Sequence, residues 1–250
     1  MEIFNKLKKG IKDFFSRYGY TCDSCGAELF DYPDHRFCAD CESKLLRPTN
    51  PCEKCGRQKT ADGICTDCKS NLPKFTQGFS PFIYRDQAAL LINRMKNGTP
   101  RLALYFGERV ADYFADTYLN TRPTESVLII PVPMTKEKIR ERGYNQAIHL
   151  AESVYERLRA RGYSVAIDTV LLQKKRNTAP QKRMTYTERM ENVAGAYHVH
   201  KRKECRGKTI LLIDDVMTTG ATASECSARL FGAGAEKVLF LSASALEERK

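Results

Sequence analysis

Residues 209–225 read TILLIDDVMTTGATASE, and this stretch decides the fold of the chain. Its apolar start predicts a buried strand over Thr209–Ile213, and two adjacent carboxylates, Asp214 and Asp215, follow directly. A short loop rich in threonine and glycine then leads into a helix expected over Ala223–Gly232. The segment therefore has the form of a strand, a polar loop and a helix.

The loop contains the groups that an anion needs. Gly220 allows backbone amides to close around a ligand, the threonine hydroxyls can donate hydrogen bonds, and the helix N-terminus adds unpaired N–H groups and a favourable dipole. Asp214 and Asp215 offer acceptors for the vicinal hydroxyls of a ribose. The segment predicts a sugar-phosphate site; the alternative is an ordinary strand-to-helix turn shaped by aspartate, threonine and glycine.

Outward from this segment, apolar runs alternate with helical patterns. This alternation predicts the α/β class, a mostly parallel sheet flanked by helices, with ligands at the carboxyl ends of the strands. Residues 81–120 are expected to cover the sheet with two helices. The other predicted elements are strands at Ser126–Val132, Val170–Leu172 and Val238–Leu241 and helices at Gln87–Lys96, Leu102–Tyr118 and Asn145–Arg161.

The composition is that of a folded protein, with 42% hydrophobic and 28% charged residues in 250. No run approaches the ~18 apolar residues that predict a membrane span. The first residues, MEIFNKLKKGIKDFF, have scattered lysines and no secretory signal pattern, so we expect a soluble, cytoplasmic protein. Residues 1–19 predict a basic amphipathic helix, which packs on the protein or touches an anionic membrane surface.

Eight of the ten cysteines form four Cys-x-x-Cys pairs. CDSCG followed by FCADC is echoed by CEKCG followed by ICTDC, so each repeat predicts one four-thiolate zinc site. A cross-braced pairing is the alternative, and disulfides or redox dithiols are disfavoured by the compartment and the repetition. The predicted ligands are Cys22, Cys25, Cys38 and Cys41 for one ion and Cys52, Cys55, Cys65 and Cys68 for the other.

Four thiolates close each zinc site, so the two ions are expected to stabilise folding and not to perform chemistry. The acidic balance of residues 20–72 favours a partner-docking or scaffold role for this module. The positive charge is concentrated elsewhere, because residues 171–208 contain 11 Lys and Arg but only 3 Asp and Glu. Such a segment favours anionic partners, either nucleic acid or a phosphorylated small molecule, or it is solvated surface.

Several segments in order carry a family resemblance. They are SPFIYRDQAALLINRMKNGTP with Lys96; IIPVPMTKEKIRERGYNQA with Pro131, Pro133, Arg142, Gly143, Asn145 and Gln146; KRNTAPQ and ERMENVAGAY with Arg176, Thr178, Gln181, Arg189 and Asn192; and the Asp-Asp loop. Together they resemble the ComF/ComFC (GntX-like) competence family. That family has a double zinc ribbon followed by a type I phosphoribosyltransferase-like domain.

The resemblance implies a site for phosphoribosyl pyrophosphate with magnesium. Asp214 and Asp215 would bind the ribose hydroxyls, and the next seven residues would hold the 5′-phosphate: Val216, Met217, Thr218, Thr219, Gly220, Ala221 and Thr222. The loop after the preceding strand would take the pyrophosphate, with Val132, Pro133, Arg140 and Arg142 as candidates. The basic segment would be a closure loop or a single-stranded DNA track, with Lys174, Lys175, Arg176, Lys182 and Arg183 as candidates.

The resemblance also suggests an organisation and a function. The expected pieces are the helix at 1–19, the double zinc ribbon at 20–72 and the phosphoribosyltransferase-like domain at 73–250. The expected role is binding of phosphoribosyl pyrophosphate in DNA uptake and natural transformation. The alternatives are an active nucleobase or amine phosphoribosyltransferase of nucleotide salvage, for which no general acid or base is evident, and a zinc-ribbon adaptor for a DNA-uptake helicase.

Overall fold

The computed structural model describes residues 21–30, 36–60, 62–179 and 186–248. The amphipathic helix expected at residues 1–19 lies outside these ranges, as do Lys182 and Arg183. The chain divides between Leu46 and Arg47 into two compact units. The first cysteine repeat belongs to the first unit, whereas the second repeat belongs to the same unit as the α/β body. The boundaries expected at 19/20 and 72/73 stay predictions.

Strands of very different length occur in the described chain. Long apolar runs produce the central strands, whose residues are buried on both faces, as is typical of parallel sheets covered by helices. The strands are β1 (Gln77–Phe79), β2 (Phe82–Ile83), β3 (Val127–Pro131), β4 (Val165–Ile167), β5 (Leu172–Lys174), β6 (Tyr197–Val199), β7 (Thr209–Met217) and β8 (Lys237–Ala245).

The main sheet has six parallel strands in the order β1, β8, β7, β3, β4, and β2 also pairs with β8. Strands β5 and β6 form a separate antiparallel pair. The expected fold class, an α/β parallel sheet with N-terminal cysteine modules, is therefore confirmed.

Two of the helices begin at residues whose side chains cap them. Thr135 accepts a hydrogen bond from the N–H of Lys138, and Asn145 accepts one from the N–H of Ala147, each satisfying a first-turn amide. The helices are α1 (Ala39–Ser43), α2 (Thr66–Ser70), α3 (Asp86–Lys96), α4 (Leu102–Thr117), α5 (Lys136–Arg142), α6 (Gln146–Ala160), α7 (Tyr186–Val193) and α8 (Ala221–Gly232). None of these helices is long and apolar enough to cross a membrane.

Helices α4 and α6 pack closely on each other. A Cβ atom added at Gly107 of α4 would lie 2.4 Å from the Cβ of Ser153 on α6, so only glycine permits this approach. The packing holds the first turn of α6, with Asn145 and Gln146, against the carboxyl edge of the sheet, where the amide of Asn145 donates to the carbonyl oxygen of Val132.

The structure differs from the sequence-based expectations in several places, among them strands β4 and β6 and helices α5 and α7, which were not predicted. Strand β7 continues to Met217, so both carboxylates lie within the strand and not after it. The strand expected at Val170–Leu172 begins later and belongs to the separate pair. Residues 77–83 add two short strands to the main sheet, where the sequence predicted only a covering segment from residue 81; glycine, serine and proline interrupt the apolar pattern there.

Candidate functional site

Each cysteine repeat gathers its four sulfur atoms into one group, within 4.8 Å of one another. The Cys25 and Cys38 sulfurs are 3.8 Å apart, and the Cys55 and Cys65 sulfurs are 3.7 Å apart. Two thiolates bound to a tetrahedral zinc ion at ~2.3 Å lie about 3.8 Å apart, so the spacing fits the metal. The grouping is sequential and not cross-braced: Cys22, Cys25, Cys38 and Cys41 in one group, and Cys52, Cys55, Cys65 and Cys68 in the other.

The local backbone of the two groups is also the same. Gly26 and Gly56 have φ of 79° and 76°, and each donates its N–H to the carbonyl of the first cysteine of its repeat at 2.8 Å. In both repeats the N–H of the third cysteine donates to the sulfur of the first, at 3.3 and 3.2 Å. Such N–H donors stabilise thiolates around a metal, so both groups can hold zinc.

The two carboxylates of β7 serve opposite faces of the sheet, because side chains alternate along a strand. Asp215 is buried and faces α3 and α6. Its carboxylate lies 3.0 Å from the Nζ of Lys96 and accepts a 2.5 Å hydrogen bond from the amide of Gln146. The oxygen of that amide accepts a 2.7 Å bond from Arg142, so Arg142, one of the pyrophosphate-loop candidates, is linked to Asp215 through Gln146.

Asp214 faces the other side, toward β5 and α8. Burial and the neighbouring Asp215 carboxylate raise the pKa of Asp214 to about 7, although Lys96 and Lys174 act in the opposite direction. Burial alone would lower the pKa of Lys96, but Asp215 and Asp214 raise it above the ordinary value. Lys174 is different, since its burial and the nearby Lys138 lower its pKa. The carboxylate pair is thus surrounded by cations from α3 and β5.

The loop after β7 has the geometry expected of an anion cup. Gly220 has φ of 78° and caps α8, whose first-turn amides lack intrahelical acceptors. Thr219 is buried, and its hydroxyl lies 3.4 Å from the N–H of Ala221. Thr218 is held from two directions: its hydroxyl accepts from Arg189 of α7 at 3.2 Å, and its carbonyl accepts from Arg57 at 2.7 Å.

The other phosphate-loop and pyrophosphate-loop candidates differ in exposure. Met217 and Ala221 are buried, so they contribute backbone and not side chains to the cup. Val132 is also buried and its N–H donates to the carbonyl of Ile213 at 2.8 Å, which fixes the start of the pyrophosphate loop beside β7. Pro133 and Val216 are half-buried, and Arg140 is exposed on α5.

The basic segment is only partly available to a ligand. Lys174 donates to the hydroxyl of Thr178 at 2.9 Å and lies over the ring of Tyr197. Arg176 donates to the carbonyls of Asn192 and Ala194 at the end of α7, at 3.0 and 2.8 Å. Lys175 is exposed. Two of the expected DNA or closure candidates in the described chain therefore hold the segment itself together.

Three contributors, Lys96, Gln146 and Arg57, were not assigned a site role from the sequence. Lys96 and Gln146 appeared only within motifs, and the contact of Gln146 with Asp215 joins positions 69 residues apart. Arg57 lies in the second cysteine repeat and reaches the loop across 161 residues. One sequence signal could have found it: the repeat has arginine after CEKCG but alanine, Ala27, after CDSCG.

Comparison with known proteins gives relatives along most of the chain, although no family model matches. The chain is 29% identical to competence protein ComFC of Bacillus subtilis over 198 residues, covering 76% of this chain and 75% of that protein. It is 25% identical to competence protein F of Haemophilus influenzae, covering 87% and 86%, and 23% identical to the DNA utilization protein YhgH of Salmonella typhimurium, covering 80% and 86%. The resemblance to the ComF/ComFC family is confirmed.

Solved structures with partial similarity include phosphoribosyl-handling enzymes. Glutamine phosphoribosylpyrophosphate amidotransferase from Bacillus subtilis aligns with a TM-score of 0.34 at 18% identity, over 55% of this chain and 25% of that chain. A hypoxanthine phosphoribosyltransferase from Staphylococcus aureus aligns with a TM-score of 0.34 at 9% identity, over 55% and 61%. The chain thus spans about a quarter and three-fifths of these two proteins.

Proposed function

We propose that the carboxyl edge of the sheet binds phosphoribosyl pyrophosphate with magnesium, and that the protein acts through this ligand in DNA uptake. The observation that carries the proposal is the sequence of groups along β7 and α8: two carboxylates, then a loop closed by Gly220, then an open helix N-terminus. Carboxylates bind sugar hydroxyls, whereas helix amides bind phosphate. A ribose 5-phosphate offers both kinds of group, hydroxyls and a phosphate.

The surrounding cations support a ligand with more than one phosphate. Lys96 and Lys174 reach the carboxylate pair from α3 and β5, and Arg142 lies one amide away from Asp215. A diphosphate chelated by magnesium suits this group of cations, since Mg²⁺ keeps several waters and binds phosphate oxygens. Asp215 is bound by Lys96 and Gln146, so we assign it the role of positioning these cations. We assign Asp214 the role of binding the ribose hydroxyls.

The Asp214→Asn variant separates binding from folding. Ionisation of Asp214 is costly in the folded state because its pKa is raised to about 7, so a neutral amide leaves stability unchanged or raises it above pH 7. Loss of a charged acceptor weakens a hydrogen-bonded ligand about 10- to 100-fold. We expect that loss in calorimetric titration with magnesium phosphoribosyl pyrophosphate, with an unchanged or higher unfolding temperature.

The matched control is Glu236→Gln, an exposed acid at the other end of the sheet, which should leave affinity unchanged. Equal affinity of wild type and Asp214→Asn would overturn the assignment of Asp214. Absence of binding by wild type at millimolar ligand would overturn the proposed function itself.

The role in DNA uptake rests on the names of the relatives, two of which are competence proteins and one a DNA utilization protein. Direct contact with DNA is a separate question. It is best tested by substituting Lys175, Lys182 and Arg183, because Lys174 and Arg176 make hydrogen bonds within the protein. If this segment binds single strands, neutralising the three residues to glutamine should reduce the salt slope of oligothymidylate binding by about 0.7 per lost contact.

Fluorescence anisotropy from low to physiological salt measures that slope. Glutamine at Lys69, Lys74 and Lys208 gives a control with the same loss of charge at exposed positions elsewhere. A slope reduced equally in both triple variants would indicate general charge attraction and would count against a track in the basic segment.

A further inference from the structure

Arg57 is a buried arginine in the second cysteine repeat, with 3% of its side chain exposed. One end of its guanidinium lies 2.5 Å from the carboxylate of Asp67, and the other donates to the carbonyl oxygen of Thr218 at 2.7 Å. The protein therefore buries one cation between a cysteine repeat and the loop that follows β7. Burial of arginine is costly, and these two partners offset the cost.

Both members of the Arg57 and Asp67 pair are placed by metal-binding cysteines. Arg57 is two residues after Cys55, and its carbonyl accepts from the N–H of Cys52 at 2.8 Å. Asp67 lies between Cys65 and Cys68 on the short helix α2. An ion bound by the four sulfurs would draw together the two segments that carry the pair. The geometry of Arg57 thus depends on the second cysteine group.

The Thr218 carbonyl is a sensitive point of the anion loop. A peptide is planar and trans, so its C=O and N–H point in opposite directions. By holding the carbonyl of Thr218 toward the cysteine repeat, Arg57 directs the N–H of Thr219 away from it. The carbonyl oxygen, which repels an anion, is thereby held on the side of the guanidinium.

Other residues of the second repeat also contact the α/β body, and these contacts fix the position of Arg57. A Cβ atom at Gly56 would lie 2.7 Å from the carbonyl oxygen of Gly78, so the two backbones touch. The N–H of Gly78 donates to the carbonyl of Lys54 at 2.8 Å. Glu248 accepts from the N–H groups of Thr60 and Thr66, at 2.7 and 2.5 Å.

The first repeat provides an internal comparison. The position of Arg57 is occupied there by Ala27, and the position of Asp67 is occupied by Asp40, whose carboxylate lies 2.6 Å from Lys44 of the same repeat. The arginine is therefore not a requirement of the four-cysteine group. It is a feature of the repeat that adjoins the loop.

We infer that Arg57 is a positioning residue that couples the second metal site to the anion loop, so that a formed second site sets the loop for phosphate. The inference rests on the proposed function for the identity of the ligand. Arg57 acts through the Thr218 peptide. The second cysteine repeat is thus a component of the ligand site.

The test compares Arg57→Ala, which gives the second repeat the residue of the first, with Arg57→Lys and with Lys54→Met. Lys54 donates to the carbonyl of Thr76 at 3.1 Å, also joining the repeat to the body but away from the loop. Each variant must contain two zinc ions per chain and unfold cooperatively, which shows that it is folded. The probe is magnesium phosphoribosyl pyrophosphate, and the amide resonances of Thr219 and Gly220 are recorded in the free protein.

We expect Arg57→Ala to bind about tenfold more weakly, as loss of a charged hydrogen bond implies, and to shift both amide resonances. Arg57→Lys should recover part of each effect, and Lys54→Met should show neither. Unchanged loop resonances in Arg57→Ala, or equal effects of Arg57→Ala and Lys54→Met, would overturn the inference. If wild type does not bind the probe, the proposed function fails, and the resonances alone still decide whether Arg57 sets the loop.

Discussion

Replacing Cys55 with serine should lower the unfolding temperature of the second unit by roughly 6–12 °C, whereas Cys25→Ser should leave that transition within about 2 °C. Each variant removes one thiolate from a four-sulfur group. The difference arises because Cys55 has no exposed surface, while Cys25 is exposed. A structural zinc site contributes its binding energy to folding, and about 3 kcal/mol is a conservative loss for one ligand.

The packing around the second group explains the size of the effect. All four of its cysteines are at most 2% exposed and belong to one apolar cluster with Phe75 and Phe240, whose rings stack at 5.4 Å. Phe240 is part of β8, an interior strand of the sheet. When the metal is lost, polar sulfur atoms remain inside this cluster without a partner, which destabilises the sheet as well as the repeat.

Calorimetric scanning with a chromogenic zinc assay measures both consequences. Cys55→Ser should lose about one zinc per chain together with the shift in unfolding, and Cys25→Ser should lose about one zinc without it. Equal shifts in the two variants, or a Cys55→Ser protein that loses zinc but unfolds at the wild-type temperature, would contradict the structural role assigned to the second group.

The sequence predicted those parts of the fold that depend on one continuous pattern. The apolar runs of β3, β7 and β8 were recognisable because each is long and buried on both faces. The two strands near Phe79 and Phe82 were missed, since a strand of two or three residues next to glycine and proline has no readable period. The two cysteine groups were predicted from a local sequence repeat, which can be recognised without knowing how the rest of the chain folds.

The sequence did not predict the part of the candidate site that is formed by residues far apart in the chain. Asp215 meets Lys96 and Gln146 only because α3 and α6 end and begin at the same edge of the sheet. The motif around Asp214 and Asp215 suggested two equivalent acceptors, but their alternation within β7 gives them different neighbours. No local pattern contains that information, because β7 was expected to end one residue before Asp214.

Replacing Lys96 with methionine should destabilise the second unit by about 3 kcal/mol above pH 7, the scale found when one member of a buried ion pair is removed. The side chains of Lys96 and Asp215 are 22% and 7% exposed, so water compensates little for the lost contact. Asp214 adds to the cost, because Lys96 is one of the two lysines that lower its pKa. Without that lysine, the pKa of Asp214 rises above its present value of about 7.

The pH dependence follows from the sign of that shift. An acid whose pKa is raised by folding costs stability when ionised, and the cost disappears as pH falls from the folded pKa toward the unfolded value near 4. The penalty of Lys96→Met should therefore be largest near pH 8 and shrink by pH 5, where Asp214 is protonated. Asp215 on the same strand, Lys174 of β5, Tyr197 of β6 and Cys226 of α8 also surround this carboxyl, and they remain in place.

Urea unfolding at pH 5 to 8 measures the penalty, and two further variants identify its source. Lys96→Arg keeps the charge and should retain most of the wild-type stability at every pH. Adding Asp214→Asn to Lys96→Met should flatten the pH dependence, because no raised carboxyl then remains on that side of β7. A penalty that is independent of pH, or one that survives in the double variant with the same slope, would mean that Lys96 stabilises the edge through Asp215 or through packing, and not through the charge of Asp214.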